Sequence, residues 1–384
     1  MNRHEKRLSV FRKAMANNKI DLAFIMASGD MQYLTGIPRQ PHNPTDENKH
    51  GDHLYGAWIN PEDDLVIVAP RLGASSYVQS HLEGKPWIKD VLVINDGENP
   101  MVFLKNLLPR FSPIHKLAVS NRTWAQTLLL LKEADKDIEI INAAPIIASM
   151  RSVKDDYEIN VMKKAGFITD QVFAAVLNQM KPGITQYEIA REIDHQIIRH
   201  GGSGNSFHTT VFITGNNVEK KYGPDGKTDF TPVEPGSVVA FDFGITYQGY
   251  VSDFGRTVYC GEPDEKQRKI HDLVITAQEE SIKAMKNGQI KASEINMLAR
   301  SIIDTEGLAP YFIHRLGHGI GIDVHEPPFL FELDQSILVT GMCFTIEPSV
   351  WFPGGVLTRV EDVVMVTSTG GVPFSCYSKE VLVI

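Results

Sequence analysis

Residues 238–258 read VVAFDFGITYQGYVSDFGRTV, and this stretch decides the fold of the C-terminal half of the chain. Val238 to Ile245 and Val251 to Val258 are rich in β-formers, and Thr246-Tyr247-Gln248-Gly249 between them has turn composition, so the stretch reads as a β-hairpin. A two-residue loop at Tyr247-Gln248 places Asp242 directly opposite Asp253. Like charges facing each other across a strand pair are destabilising, and Asp suits strand interiors poorly. A cation is expected to hold the pair.

Working outward, a second hairpin repeats the arrangement. Val339 to Val350 and Val356 to Val366 flank Pro353-Gly354-Gly355, which sets Glu347 opposite Glu361. Between the hairpins lies GHGIGIDVHE, Gly317 to Glu326, with two histidines among spaced glycines. Carboxylate oxygens with one imidazole form a hard-leaning donor set, suited to manganese, cobalt, zinc or ferrous iron rather than copper or a thiolate site. His318 and His325 are seven residues apart, a spacing that sends them to opposite faces of a straight strand unless the glycines bend the chain. His318 is therefore expected as the ligand, and His325 as a donor to the substrate oxygen that gains negative charge. Two ions in such a site can activate a water held between them and clamp a tetrahedral intermediate, chemistry that favours hydrolysis.

The 384 residues exceed the usual size of one core, so two domains are expected, 1–150 and 151–384. Residues 1 to about 150 alternate helical and strand patterns, which predicts an α/β domain with a mixed sheet. No apolar run approaches the ~20 residues of a membrane span, and the opening MNRHEKRLSVFRKAMANN is a polar amphipathic helix rather than a secretion signal. These features point to the cytoplasm. The net charge is −9, and scattered basic residues argue against a nucleic-acid partner. Cys260, Cys343 and Cys376 lack CxxC spacing and read as reduced packing residues. The polar segment Gly36 to Gly56, with His42, His50 and His53, is either a surface loop or a lid over an active site.

Two helix pairs follow the domain boundary. A long helix from Asp156 and a second opened by the capping box Thr185-Gln186-Tyr187-Glu188 precede the first hairpin; helices from Asp264 and Ser293 precede the second. Each pair carries a Glu-Ile at the start of its second helix, Glu188-Ile189 and Glu294-Ile295. The C-terminal half thus reads as an α+β duplication around a pseudo-twofold axis, with the metals between its halves.

With these residues in place, the segment from about Met150 to the end resembles the pita-bread metallohydrolases: prolidase, aminopeptidase P, methionine aminopeptidase and the metal-free creatinase. The motifs are FDFGITYQGYVSDFGRT, LGHGIGIDVHEPP, FTIEP and TRVEDVVMVT. The N-terminal half resembles the creatinase/prolidase accessory domain. The resemblance implies that Asp242 chelates one ion, Asp253 and Glu361 bridge two, and His318 and Glu347 complete the other. Glu347 would also take the proton of the attacking water. It further implies two divalent ions per chain, manganese first among them, an Xaa-Pro dipeptide as substrate, and a homodimer.

Two departures from the prolidase pattern stand out. Where many prolidases have a histidine in Pro-His-Gly, this chain has Tyr222-Gly223, with His208 further upstream; either could serve as acid, although a phenol is a weak one near neutrality. Where prolidases often show His-Glu-x-Pro-Arg, the arginine gripping the dipeptide's carboxylate, this chain has His325-Glu326-Pro327-Pro328-Phe329. Phe329 and Tyr222 are expected to touch substrate, with Arg359 and Arg315 as nearby cations. The alternatives keep the centre but change the reaction, to a cyclic or non-peptide C–N bond or a lyase step, or remove catalysis altogether and leave a peptide-binding module.

Overall fold

The computed structural model describes residues 2–39, 50–215, 218–352 and 356–384. The chain separates into two compact units, Met1–Arg151 and Ser152–Ile384.

The first unit is built on a mixed six-stranded sheet ordered Asp90–Ile94, Leu65–Pro70, Gly56–Ile59, Leu22–Met26, Lys116–Val119, Glu139–Asn142. The central strands Leu22–Met26, Gly56–Ile59 and Leu65–Pro70 are antiparallel, and the outer pairings are parallel. Near-continuous apolar runs such as LVIVA are what a strand covered on both faces requires, and Leu65–Pro70 is buried throughout. The helix Arg3–Asn17 starts at a capping box formed by Asn2 and Glu5. Of the Gly36–Gly56 segment, residues 40–49, with His42, lie outside the described residues. His50 Nε2 is 2.6 Å from the Glu98 carbonyl, and His53 is buried. The helix Ala144–Ser152 spans the domain boundary expected near residue 150.

The second unit has two cores, each with a helix pair against a sheet. Helices Asp156–Leu177 and Gln186–Arg199 pack on the sheet containing Thr210–Thr214, Val238–Phe243 and Phe254–Tyr259. Helices Glu265–Ala284 and Ala292–Asp304 pack on the sheet containing Gly317–Gly319, Glu326–Leu330, Cys343–Ile346 and Asp362–Val366. The repeated helix-pair-then-hairpin order in the sequence is thus a repeated packing unit. Asp155, Thr185 and Asp264 cap three of these helices through side-chain acceptance of the N3 amide. Among the described residues no helix is long and apolar enough to cross a membrane.

Candidate metal centre

The first hairpin forms, two residues out of the expected register. Tyr247 pairs with Tyr250 and Thr246 with Val251, so the loop is Gln248-Gly249. Both loop residues have positive φ, 48° and 79°, the type I′ geometry that matches the twist of the flanking strands. Asp242 therefore faces Gly255 rather than Asp253, and Asp253 is its diagonal neighbour. Because side chains alternate with period two, a slip of two keeps both carboxylates on one face.

Gly255 is the hinge of the arrangement. It pairs with Asp242 on one side and bridges to Glu361 on the other, with Glu361 N–H donating to the Gly255 carbonyl at 2.9 Å. A Cβ at Gly255 would lie 2.9 Å from Glu361 Oε2 and 2.9 Å from Arg359 Cδ. The missing side chain is what lets carboxylates from the two hairpins meet. In the second hairpin, Ile346 pairs with Asp362 and Ser349 with Arg359, a register in which Glu347 stands across from Glu361 as expected. The intervening loop 353–355 lies outside the described residues.

The two histidines come together, against the expectation for a straight strand. The strand carrying His318 is only Gly317–Gly319; the register shifts at His318/Gly319, the chain bends, and Glu326–Leu330 returns antiparallel. The His318 and His325 rings meet edge to face with centroids 4.2 Å apart. Glu326 holds the bend: its Oε1 accepts the amides of Ile322 and Asp323 at 2.8 and 2.9 Å, and its Oε2 pairs with buried Lys154 at 3.3 Å. Gly317 sits against Thr345, whose carbonyl oxygen a Cβ would strike, while Thr345 Oγ1 accepts the His318 amide at 3.0 Å.

One oxygen from each of Asp242, Asp253 and Glu361 lies within 4.8 Å of the others. His318 Nε2 is 3.6 Å from Asp253 Oδ2 and 3.4 Å from Glu347 Oε1. Arg359 reaches into the cluster, pairing through Nη1 with Asp242 and standing 4.0 Å from Glu361 Oε2; its Nε donates to Ser349 Oγ at 2.9 Å. Asp253 Oδ1 and Glu361 Oε2 are buried with no hydrogen-bond partner among the described residues. A buried carboxylate oxygen without a donor is costly, and one arginine cannot serve four carboxylates. Burial, then the neighbouring negative charges, drives Asp253 and Glu361 well above the usual carboxylate range. Burial also pushes Glu347 up to about 7 against the pull of Arg359. His318 is held down at about 3 by burial and by His325, which leaves its imidazole neutral, the form that binds metal. Hard oxygens, one neutral imidazole and orphaned buried acceptors fit a divalent cation.

The remaining predicted site residues are placed differently. His325 is beside the cluster, its protonation disfavoured by burial and by Arg315. Phe329 pairs with His318 across the strands, and the Arg315 guanidinium lies over its ring at 4.9 Å. His208 is exposed, two residues before Thr210, which pairs with Asp242. Tyr222 is 59% exposed, and its backbone bridges to Asp229. Among the described residues no hydrogen bond joins the His208 ring or the Tyr222 hydroxyl to the carboxylates. Sequence reasoning missed His314, whose Nδ1 is 4.0 Å from Glu347 Oε2 and whose buried Nε2 has no hydrogen-bond partner among the described residues. It also missed Thr345, whose hydroxyl donates to Glu347 Oε1 at 3.2 Å. Neither residue stands out by spacing, since each is brought in by strand pairing.

The fold and the carboxylate–histidine cluster define a metal-dependent hydrolase with the pita-bread architecture. The chain belongs to metallopeptidase family M24, which it matches over residues 160–368, and residues 7–153 match the Creatinase/Prolidase N-terminal domain. It is 32% identical over 381 residues to an Xaa-Pro dipeptidase of Lactobacillus helveticus, covering 98% of each chain. It is 32% identical over 366 residues to a putative dipeptidase of Bacillus subtilis (strain 168), covering 94% of this chain and 95% of that one. The crystal structure of a recombinant prolidase from Thermococcus sibiricus matches with a TM-score of 0.87 at 29% identity, covering both chains in full.

Proposed function

We propose that the protein is a dipeptidase that hydrolyses Xaa-Pro dipeptides with two divalent cations, manganese first among them, held by Asp242, Asp253, His318, Glu347 and Glu361. The observation that carries this reading is the pair of buried oxygens, Asp253 Oδ1 and Glu361 Oε2, that lack a hydrogen-bond partner among the described residues, inside a carboxylate cluster fed by two separate hairpins. Similarity to an Xaa-Pro dipeptidase and a prolidase along almost the whole chain supports the substrate class. A homodimer, which the family resemblance implies, and a cytoplasmic location, expected from the make-up of the sequence, belong to the same reading.

Bound in this cluster, divalent cations supply Lewis acidity and lower the pKa of a water. The chain's own residues do the rest. Glu347 is placed to take the water's proton at Oε2, because its Oε1 is occupied by the Thr345 hydroxyl. His325, kept neutral by burial, presents an N–H to the substrate oxygen that becomes negative. Arg359 orients Asp242 through their ion pair, a role that leaves it little capacity for substrate.

Metal analysis and turnover before and after chelation test the reading. Two ions per chain and loss of Xaa-Pro hydrolysis on chelation, restored by manganese, are expected; undiminished turnover in metal-free protein would end the proposal. Gly255→Ala provides a second check. Its methyl group displaces Glu361 or Arg359 without removing a ligand, so cation affinity, read by calorimetric titration, is expected to fall about 10- to 100-fold, the size of effect seen when ligand orientation is disturbed. Unchanged affinity would show that Glu361 does not need this close approach.

A further inference from the structure

Arg256 lies behind the carboxylate cluster rather than in it. Gly255 pairs with Asp242 and Arg256 with Phe241, and side chains alternate along a strand, so Arg256 projects from the face opposite Asp242. It is 1% exposed, and there it pairs with the fully buried Asp362. Desolvation offsets much of the attraction within a pair so deep, so stability alone is a weak reason for its placement. All five of its N–H donors are engaged. Nε donates to the Ser378 carbonyl at 3.0 Å, and Nη2 to Asp362 Oδ1 at 2.8 Å and the Tyr377 carbonyl at 3.0 Å. Nη1 donates to the carbonyls of Gly255 and Glu361, both at 2.8 Å.

Those last two bonds fall on the junction of the two hairpins. Gly255 and Glu361 form an isolated bridge, with Glu361 N–H donating to the Gly255 carbonyl at 2.9 Å and Gly255 N–H to the Glu361 carbonyl at 3.3 Å. Beside the bridge, the Thr257 hydroxyl bonds both the carbonyl and the amide of Arg359 at 2.9 Å. Across it, the two hydrogens of one Arg256 nitrogen clasp both carbonyls. The guanidinium is itself anchored from several elements. Gln278 Nε2 donates to Asp362 Oδ2 and to the carbonyl of Ile346, next to Glu347, each at 3.1 Å. Asp170 accepts the Ser375 hydroxyl and the Cys376 amide, and His271 Nε2 lies 2.8 Å from the Lys379 carbonyl, which fixes the segment that supplies the Tyr377 and Ser378 carbonyls.

We propose that Arg256 is a positioning residue that staples the two hairpins at the Gly255–Glu361 bridge and so holds Asp253 and Glu361 at a separation two cations can share. The inference rests on the two-cation reading, in which those two carboxylates belong to both ions.

Two variants remove the staple in different ways. Arg256→Lys keeps a positive charge against Asp362 but offers one nitrogen where a planar fork of three served both hairpins. The double variant Arg256→Met, Asp362→Leu deletes the ion pair with apolar side chains, a change that buried pairs often tolerate without loss of stability. Val274→Ala, in the core of the second helix pair, is the control for destabilisation alone. Manganese binding is followed by calorimetry and by electron paramagnetic resonance, in which ions that share a carboxylate give an exchange-coupled spectrum. Both staple variants are expected to bind the second manganese about 10- to 100-fold more weakly, as a disturbed outer partner of a ligand does, and to lose the coupled spectrum. Their kcat for Leu-Pro falls with little change in KM, because Arg256 is buried behind the sheet. Val274→Ala melts lower in chelator and keeps the wild-type spectrum. Wild-type affinity and spectrum in either staple variant overturn the proposal, as does an equal loss in Val274→Ala. Failure of both staple variants to fold overturns it in favour of a purely structural role. If the wild type binds a single manganese, the two-cation reading fails, and amide hydrogen exchange in the metal-free protein judges the staple. Exchange at Gly255 and Glu361 faster by about tenfold in the staple variants, and not in Val274→Ala, then supports it, and unchanged rates refute it.

Discussion

Asp253→Asn is expected to lower kcat/KM for an Xaa-Pro dipeptide by on the order of 10³-fold, and at the same time to make the metal-free protein more stable than wild type. The first half follows from charge. Asp253 lies deep in the cluster, 3.6 Å from His318 and close to Asp242 and Glu361. An amide there weakens the hold on a divalent cation, and Lewis-acid stabilisation is worth several kcal/mol at about 1.4 kcal/mol per tenfold in rate. The second half follows from the same burial. Without a cation, Asp253 must either ionise among other carboxylates or hold a proton well above the usual range, and each course subtracts from stability at neutral pH. Asn has the same shape and none of that charge. Kinetics, metal content and melting in chelator check the pair of effects. A variant that loses activity but melts lower than wild type without metal would mean that Asp253 is a structural acceptor instead.

Much of this centre was legible in the sequence, because each hairpin encodes its face by a period of two. The slip of the first hairpin shows why register was harder. Tyr247-Gln248 and Gln248-Gly249 are both plausible two-residue loops by composition, and only the left-handed backbone that Gly249 accepts readily selects the second. The error was harmless to the site, since Asp242 and Asp253 remain on one side. The histidine spacing misled for a different reason. A strand of three residues has no opposite face by residue 325, and the bend is stabilised by Glu326 and Lys154, far apart in the sequence. His314 and Thr345 were invisible because nothing local marks them; their roles exist only once Leu316 accepts the Glu347 amide and the strands align. The sequence marks Arg315 as a nearby cation, but that its buried Nε has no acceptor among the described residues while Arg359 is engaged is a fact of packing alone.

The same buried acids predict opposite pH dependences for the metal-free and metal-loaded protein. In the metal-free chain, Glu347 is raised to about 7 from an ordinary value of ~4.3, and burial among like charges raises Asp253 and Glu361 well above the usual carboxylate range. A group whose folded pKa exceeds its unfolded one contributes stability that is full below the unfolded value and is lost as pH climbs through the folded value. The melting temperature in chelator is therefore expected to fall between about pH 4 and 7 on account of Glu347, with Asp253 and Glu361, raised in the same direction, adding to the loss as pH rises. A bound divalent cation reverses the sign, because it favours the ionised carboxylates and its affinity grows as they lose protons. With manganese in excess, the melting temperature should rise across the same window. Cation binding near neutral pH should also release protons, visible as a binding enthalpy that changes with the ionisation enthalpy of the buffer. Melting curves recorded with chelator and with manganese at each pH decide the matter. Parallel slopes in the two series would place the ion somewhere other than among Asp253, Glu347 and Glu361.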